Sequence, residues 1–383
     1  MNLSYQSCFL CPRRCGALRE NIESALTPDK PFGFCGESAV LRLACASIHW
    51  GEEPPLTGAA EEQGRRTGEV PRFIEAAAGG SGTIFVSGCN LGCAFCQNFQ
   101  INRLKNPKAF DHLKSLGRAV GTAEFARICL VLLDRGAENI NIVTGSHMVP
   151  AIVEGIAAAK TAGLTIPVLW NSSAYELPET LELLADTVDV FLPDLKTLDT
   201  TIAGHYFNAP DYPVVATSAI GKMLEMRSLH YKEIKKKEGK NNSPVRLISG
   251  VMVRHLVLPG SLPSSRKVLR WFADHAAGRA LLSLMFQYTP VGFDIHVKSN
   301  RGVCNANSTH STTGHPWPDI PRRYITQKEY DTVLGWLAEF GIEEGYCQEL
   351  VPGNTDWLPD FNNPNPFPSN LSVPVWHWKS GFI

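Results

Sequence analysis

The chain has 383 residues, 44% hydrophobic and 19% charged, which fits one large globular domain with appendages, or two domains, and excludes disorder. A formal net charge of -1 at pH 7 gives no general pull toward nucleic acid or an anionic membrane surface, so neither is an expected partner. Eleven cysteines, no charged-then-apolar start and no run approaching the ~18 apolar residues of a membrane helix point to metal rather than disulfides, and to a cytoplasmic location.

From the amino end, Cys8-Phe9-Leu10-Cys11-Pro12-Arg13-Arg14-Cys15-Gly16 and then Gly33-Phe34-Cys35-Gly36 form a C-x2-C-x3-C-x19-C set. Four thiolates flanked by glycines are a complete ligand set for zinc or for an iron–sulfur cluster, and spacing does not separate the two. The apolar run from Ala39 to Ile48 predicts a strand, with Cys45 in the core rather than on a metal. His49-Trp50-Gly51-Glu52-Glu53-Pro54-Pro55 follows, a group suited either to line a site or to hold a structural histidine. Residues 58–72, rich in Gly and charge, read as a loop. The expectation is a four-cysteine metal-binding region over residues 1–50 and a linker over 51–80.

Thr83 to Val86 is a short β-branched and aromatic run, which predicts a buried strand closing at Ser87-Gly88. Cys89, Cys93 and Cys96 follow, spaced C-x3-C-x2-C. Soft thiolates at this spacing suit zinc, copper(I) or iron–sulfur clusters. A structural zinc site wants a fourth ligand, and no His or Cys lies between Gln97 and Phe110. A 4Fe–4S cluster takes one thiolate per iron, so three leave one iron open to a substrate or cofactor. Cysteines that serve packing alone do not cluster on a Gly-rich loop.

Beyond this loop, helical and strand patterns alternate. Helices are expected over 123–135, 150–162, 178–185, 215–237 and 264–277, and strands over 139–144, 166–170, 188–192, 251–258 and 281–287. The basic run Lys235-Lys236-Lys237 reads as a solvated face. Such alternation argues a parallel sheet with right-handed crossovers, here an α/β fold built on a partial barrel of about six parallel strands over residues 81–300. Chemistry collects at strand C-terminal ends in parallel barrels. Polar groups fall there in turn: the three cysteines, then Thr144 to His147, Asn171 to Ser173, and Asp194 with Lys196. Arg254 and His255 lie on the fifth strand, and Gln287 and Tyr288 end the sixth.

Residues 300–323 read as a long loop. Thr326 to Phe340 is an amphipathic helix with a capping box of Thr326 and Glu329. The tail from Val351 carries Trp357, Phe361, Trp376 and Trp378, which predicts an arm strapped over the barrel. Cys304 and Cys347 lack partners at metal-ligand spacing. Residues 301–383 thus form a C-terminal extension of loop, helix and aromatic-rich arm.

Cys89, Cys93 and Cys96, with aromatic Phe95 before the last cysteine and a strand before the first, resemble the cluster motif of the radical S-adenosylmethionine (SAM) enzymes. Over residues 8–340 the chain resembles the pyruvate formate-lyase activating enzyme-like branch, through Cys8–Cys15, Gly80–Asn98, Asn139–Pro150, Val188–Lys196 and Val251–Gly260. The resemblance implies a 4Fe–4S cluster on Cys89, Cys93 and Cys96, which chelates SAM. It further implies reductive cleavage of SAM to a 5′-deoxyadenosyl radical that abstracts hydrogen, fed by an electron donor such as flavodoxin or ferredoxin. Asp194-Leu195-Lys196 matches the branch's Asp-x-Lys near SAM, and Arg254 matches an arginine that faces the SAM carboxylate. Thr144, Gly145, Ser146 and His147 stand where the branch has Gly-Gly-Glu at the SAM amino group, and Asn171 and Ser173 complete the implied SAM set. Two features depart from the branch: its extra clusters follow the first strand, whereas these four cysteines precede it, and the C-terminal extension exceeds a minimal activase.

Three functions are therefore expected to compete. The first is a radical SAM oxidoreductase acting on a glycyl-radical enzyme or another protein. The second is one acting on a small metabolite, with the tail closing the barrel. The third is a non-catalytic iron–sulfur electron-transfer protein, set apart by its failure to bind SAM.

Overall fold

The computed structural model describes residues 5–19, 33–57, 79–102, 116–233, 245–291 and 321–383. In chain order the elements are β1 (Arg42–His49), α1 (Pro54–Thr57), β2 (Ser81–Val86), β3 (Arg118–Ala119), α2 (Thr122–Asp134), β4 (Ile140–Val143) and α3 (Val149–Thr161). Then come β5 (Val168–Ser172), α4 (Pro178–Leu181), β6 (Val190–Pro193), α5 (Thr200–Phe207), α6 (Tyr212–Met226), β7 (His230–Glu233) and β8 (Val245–Leu256). The last are α7 (Leu262–His275), β9 (Leu281–Met285), α8 (Gln327–Glu339), β10 (Gly345–Cys347), β11 (Ser372–His377) and β12 (Gly381–Phe382).

These strands form a mixed sheet in the order β10-β9-β8-β6-β5-β4-β2-β1-β11-β12. From β2 to β10 the pairings are all parallel. Six of these strands are those expected from the alternation, and β10 adds a seventh after α8. The central strands are continuous apolar runs because both faces are covered: β2 and β6 are buried at every position. Helices supply the cover. In α2, Phe125, Ile128, Cys129 and Leu132 recur at helical spacing and are all buried. Gly155 of α3 lies directly against the Phe125 ring, where a Cβ would clash.

Between β6 and β8 the chain departs from expectation at three places. The helix expected over 215–237 starts earlier, at Tyr212-Pro213, and stops at Met226, because Arg227 turns extended and leads into β7. β7 pairs antiparallel with the first half of β8, which is therefore longer than 251–258. An unforeseen helix, α5, begins where the Asp199 carboxylate accepts from the Thr201 and Ile202 amides, an N-cap.

The amino and carboxyl ends meet on one edge. β1 runs antiparallel to β2, and β11 then pairs with β1, so the end of the tail extends the sheet, while Trp357 and Phe367 before it reach the mouth at the strand ends. This covers an otherwise open strand edge. Trp376 is fully buried there, and its indole N–H donates to Glu124 at 2.9 Å. Phe361 and Phe367 pack on Phe85 of β2. The capping box forms as expected: Thr326 accepts from the Glu329 amide, and Glu329 from that of Thr326. Cys45 is buried in the core. Residues 58–72, Lys235 to Lys237, Cys304 and most of the 300–323 loop lie outside the described residues. Among the described residues no helix is long and apolar enough to cross a membrane.

Candidate functional site

A cavity of about 490 Å³ opens at the C-terminal ends of the parallel strands. The local chain explains why it is there. β2 ends in Ser87-Gly88, and Gly88 takes a φ of +84°, where a side chain would also run into Glu37 and His147. The chain thus turns sharply and places Cys89, Cys93 and Cys96 on the cavity wall. The loop is fixed by bonds to the end of α5: the Gly92 amide donates to Phe207 O at 3.3 Å and the Ala94 amide to Tyr206 O at 2.8 Å. Phe95 sits edge-on among Tyr206, Phe207 and Tyr288.

Cys89 and Cys96 are supplied with donors. The Leu91 amide points at Cys89 Sγ at 3.3 Å, and Asn102 Nδ2 at Cys96 Sγ at 3.8 Å. Burial pushes the Cys93 and Cys96 thiols up, with Lys196 working against burial at both. Such groups stay neutral unless a cation takes their protons' place. Among the described residues no three His, Cys, Asp or Glu side chains converge as a ready site for one ion. A 4Fe–4S cluster does not need that convergence: each thiolate binds a different iron, so its ligands must ring a volume rather than meet at a point. Three thiols on the wall of one cavity fit that demand.

Of the residues singled out beyond the cysteines, Thr144, Asn171, Ser173, Asp194, Lys196 and Arg254 line the cavity. Lys196 Nζ donates to Asp194 Oδ2 at 2.6 Å. Burial opposes the Lys196 charge, but Asp194 and Cys93 outweigh it and raise its pKa. Gly145, Ser146 and His147 are not on the wall. Gly145 packs against Trp170, and Ser146 Oγ donates to the buried Glu176 carboxylate at 2.7 Å. His147 is buried with Nε2 at 2.8 Å from Ser87 O; burial, helped by Arg19, lowers its pKa to about 3, so it is neutral.

The acidic pair before α1 turns out to face the cavity. Glu52 and Glu53 both bond the Arg254 guanidinium, and Asn141 Nδ2 donates to Glu52 at 3.0 Å. Burial opposes ionisation of Glu52, yet Arg254 and His49 hold its pKa below the ordinary value. Any carboxylate brought to Arg254 therefore meets a guanidinium already engaged by two others. The sequence hinted at this only through the Glu pair beside His49. Cys347, on β10, also reaches the wall, as do Trp357 and Phe367 from the tail.

At the amino end, Cys8, Cys11 and Cys35 are buried while Cys15 is exposed. A hydrogen bond between Cys15 and Cys8 pushes the Cys8 thiol up and lowers that of Cys15 to about 5. Burial raises Cys11 to about 11, reinforced by Cys35 and Cys15. Their soft thiols suit zinc or iron, although among the described residues these four do not converge as a ready site for one ion either.

Residues 83–212 match the family model of the Radical SAM superfamily. A radical SAM domain is thus supported from β2 through the start of α6, a stretch that contains the three-cysteine loop. Over 340 residues the chain is 26% identical to the uncharacterized protein MJ0674 of Methanocaldococcus jannaschii, covering 88% of this chain and 76% of that one. Among solved structures it is similar to Streptococcus suis SuiB. With SuiB bound to the precursor peptide SuiA the identity is 14% and the TM-score 0.40, covering 68% of this chain and 46% of SuiB. With SuiB bound to S-adenosylmethionine the TM-score is 0.41, covering 48% of SuiB. The chain spans less than half the length of SuiB.

Proposed function

We propose that the chain is a radical SAM oxidoreductase, with a 4Fe–4S cluster held by Cys89, Cys93 and Cys96 in a partial barrel over residues 81–300. A four-cysteine metal region precedes the barrel and a C-terminal extension follows it. The observation that carries this reading is the shared cavity wall of the three thiols, Lys196, Asp194 and Arg254, at the ends of parallel strands. When bound, the cluster supplies the electron that cleaves SAM to methionine and a 5′-deoxyadenosyl radical. The chain's part is placement. Thr144, Asn171 and Ser173 offer polar groups along the strand ends, and the Lys196–Asp194 pair sets charge beside Cys93. Arg254 is a fork for a carboxylate, in competition with Glu52 and Glu53. Aromatic side chains on the wall, among them Phe85, Phe95 and Tyr288, would help to exclude water around a bound reactant. Cys8, Cys11, Cys15 and Cys35 hold zinc or a second cluster.

For the substrate, activation of a glycyl-radical enzyme rests on the resemblance alone. Trp357 and Phe367 of the C-terminal arm narrow the same cavity, which favours a small metabolite or a single protein side chain. The test is anaerobic reconstitution with iron and sulfide, then reductant and SAM, assayed for 5′-deoxyadenosine. Product that disappears in Cys93→Ala is the expected result. A stable cluster that binds no SAM under strong reductant would overturn this reading in favour of electron transfer.

A further inference from the structure

The amino-terminal cysteine region grips the three-cysteine loop on both sides of Cys89. Arg13 lies between Cys11 and Cys15. Its Nε donates to Asn90 O at 2.9 Å, Nη1 to Asn208 O at 2.6 Å and Nη2 to Phe207 O at 3.5 Å. The guanidinium stacks on Phe34, next to Cys35, at 3.6 Å from the ring centre, with Tyr175 beyond at 5.0 Å. Asn90 itself follows Cys89, and its side chain donates to Tyr175 O at 2.6 Å. Arg13 therefore sits where the cysteine region, the loop and the C-terminal end of α5 meet, and a cation there also suits the helix dipole.

The second contact runs through Arg19, which is buried. Its Nη1 lies 3.4 Å from Cys8 Sγ and donates to His147 O at 2.7 Å. Nε donates to Glu37 O and Nη2 to Ser38 O, both at 2.9 Å. His147 in turn touches Ser87 O at 2.8 Å, two residues before Cys89. One arginine thus reaches residue 90 directly, and the other reaches residue 87 through a neutral histidine.

We propose that the four-cysteine region is a clasp for the catalytic cluster: the metal on Cys8, Cys11, Cys15 and Cys35 fixes Arg13, and Arg13 positions the Cys89 segment. This rests on the reading of both cysteine sets as metal sites. Outer contacts that orient metal ligands are worth about 10- to 100-fold in metal affinity. The clasp has that character, since Arg13 holds the peptide carbonyl one residue from a ligand without touching the thiol.

The experiment uses the full chain, reconstituted anaerobically. Iron and sulfide per chain are measured first, in wild type and in Cys89→Ala/Cys93→Ala/Cys96→Ala. Loss of one cluster's iron in the triple variant establishes the catalytic site, and no loss overturns the underlying reading rather than the clasp. Iron release to a chelator and the change in the reduced cluster's electron paramagnetic resonance on adding SAM are then compared in Arg13→Ala and Arg13→Lys. Arg13→Ala is expected to release catalytic iron about 10- to 100-fold faster and to blunt the SAM-induced change, with amino-terminal metal retained. Arg13→Lys, which keeps the charge and one donor, is expected to fall between. In Cys11→Ser/Arg13→Ala, the release rate should match that of Cys11→Ser alone if metal and arginine act in series. Unchanged release and spectra in both Arg13 variants would overturn the clasp. So would full additivity in the double variant.

Discussion

Glu53 and Arg254 form an ion pair on the cavity wall although 201 residues separate them in the chain. Glu52 joins the same guanidinium, so one buried cation holds two carboxylates. Arg254→Ala leaves both without a counter-charge and is expected to cost about 3–5 kcal/mol. Arg254→Lys keeps the charge but loses the planar fork, and should cost less. Denaturant titration of the two variants beside wild type checks the order, and equal losses would show that charge is not what the pair supplies.

The two cysteine sets should empty separately. Cys93→Ala is expected to abolish the visible absorption of the catalytic cluster while metal stays on Cys8, Cys11, Cys15 and Cys35. Metal analysis of Cys93→Ala identifies what the amino-terminal set holds: iron with sulfide means a second cluster, zinc alone a structural site. Loss of all metal in Cys93→Ala would mean that the amino-terminal set cannot hold its metal without the catalytic cluster.

The residues that carried this site in the sequence were those with short-range grammar. The Cys89–Cys96 spacing, the capping box at Thr326 and the polar group closing each strand are local patterns, and local patterns can be read. Arg13 and Arg19 had none, and Glu53 had only its place in an acidic pair beside His49. Their roles come from partners such as Asn208, His147 and Arg254, from 128 to 201 residues distant, and nothing in their own neighbourhoods encodes that contact. The edge strands escaped for a related reason. β11 covers the edge of β1, and a Pro and a Trp within Ser372–His377 read as an arm until the open edge is known.

His255 supplies a pH signature. Nδ1 lies 2.7 Å from Leu195 O and Nε2 2.9 Å from Ser265 Oγ, which suits a neutral ring donating at one nitrogen and accepting at the other. Burial lowers its pKa from 6.5 to about 4. The folded pKa lies below the unfolded one, so the unfolded chain binds the proton more readily as pH falls. Its contribution to stability is complete above pH 6.5 and is lost as pH falls toward 4. Between pH 7 and 5 the loss is on the order of 2 kcal/mol. Denaturant titrations at both pH values should show a smaller drop in His255→Gln than in wild type, and an equal drop would place the sensitivity elsewhere.

Trp376 tests whether the tail is structural. Its ring is fully buried between β1 and α2, its indole N–H bonds Glu124, and Arg118 stacks on its face at 4.8 Å. Truncation removes a large buried surface and leaves the carboxylate short of a donor. Trp376→Ala is expected to cost about 3–5 kcal/mol, and Trp376→Phe less, because most of the packing remains. Removing residues 372–383 would also expose the backbone of β1 from Cys45 to His49, an edge that invites pairing with other chains. Light scattering on that truncated chain should therefore show association that the two point variants do not. A monomeric, fully stable truncation would mean that β1 is protected by something other than β11.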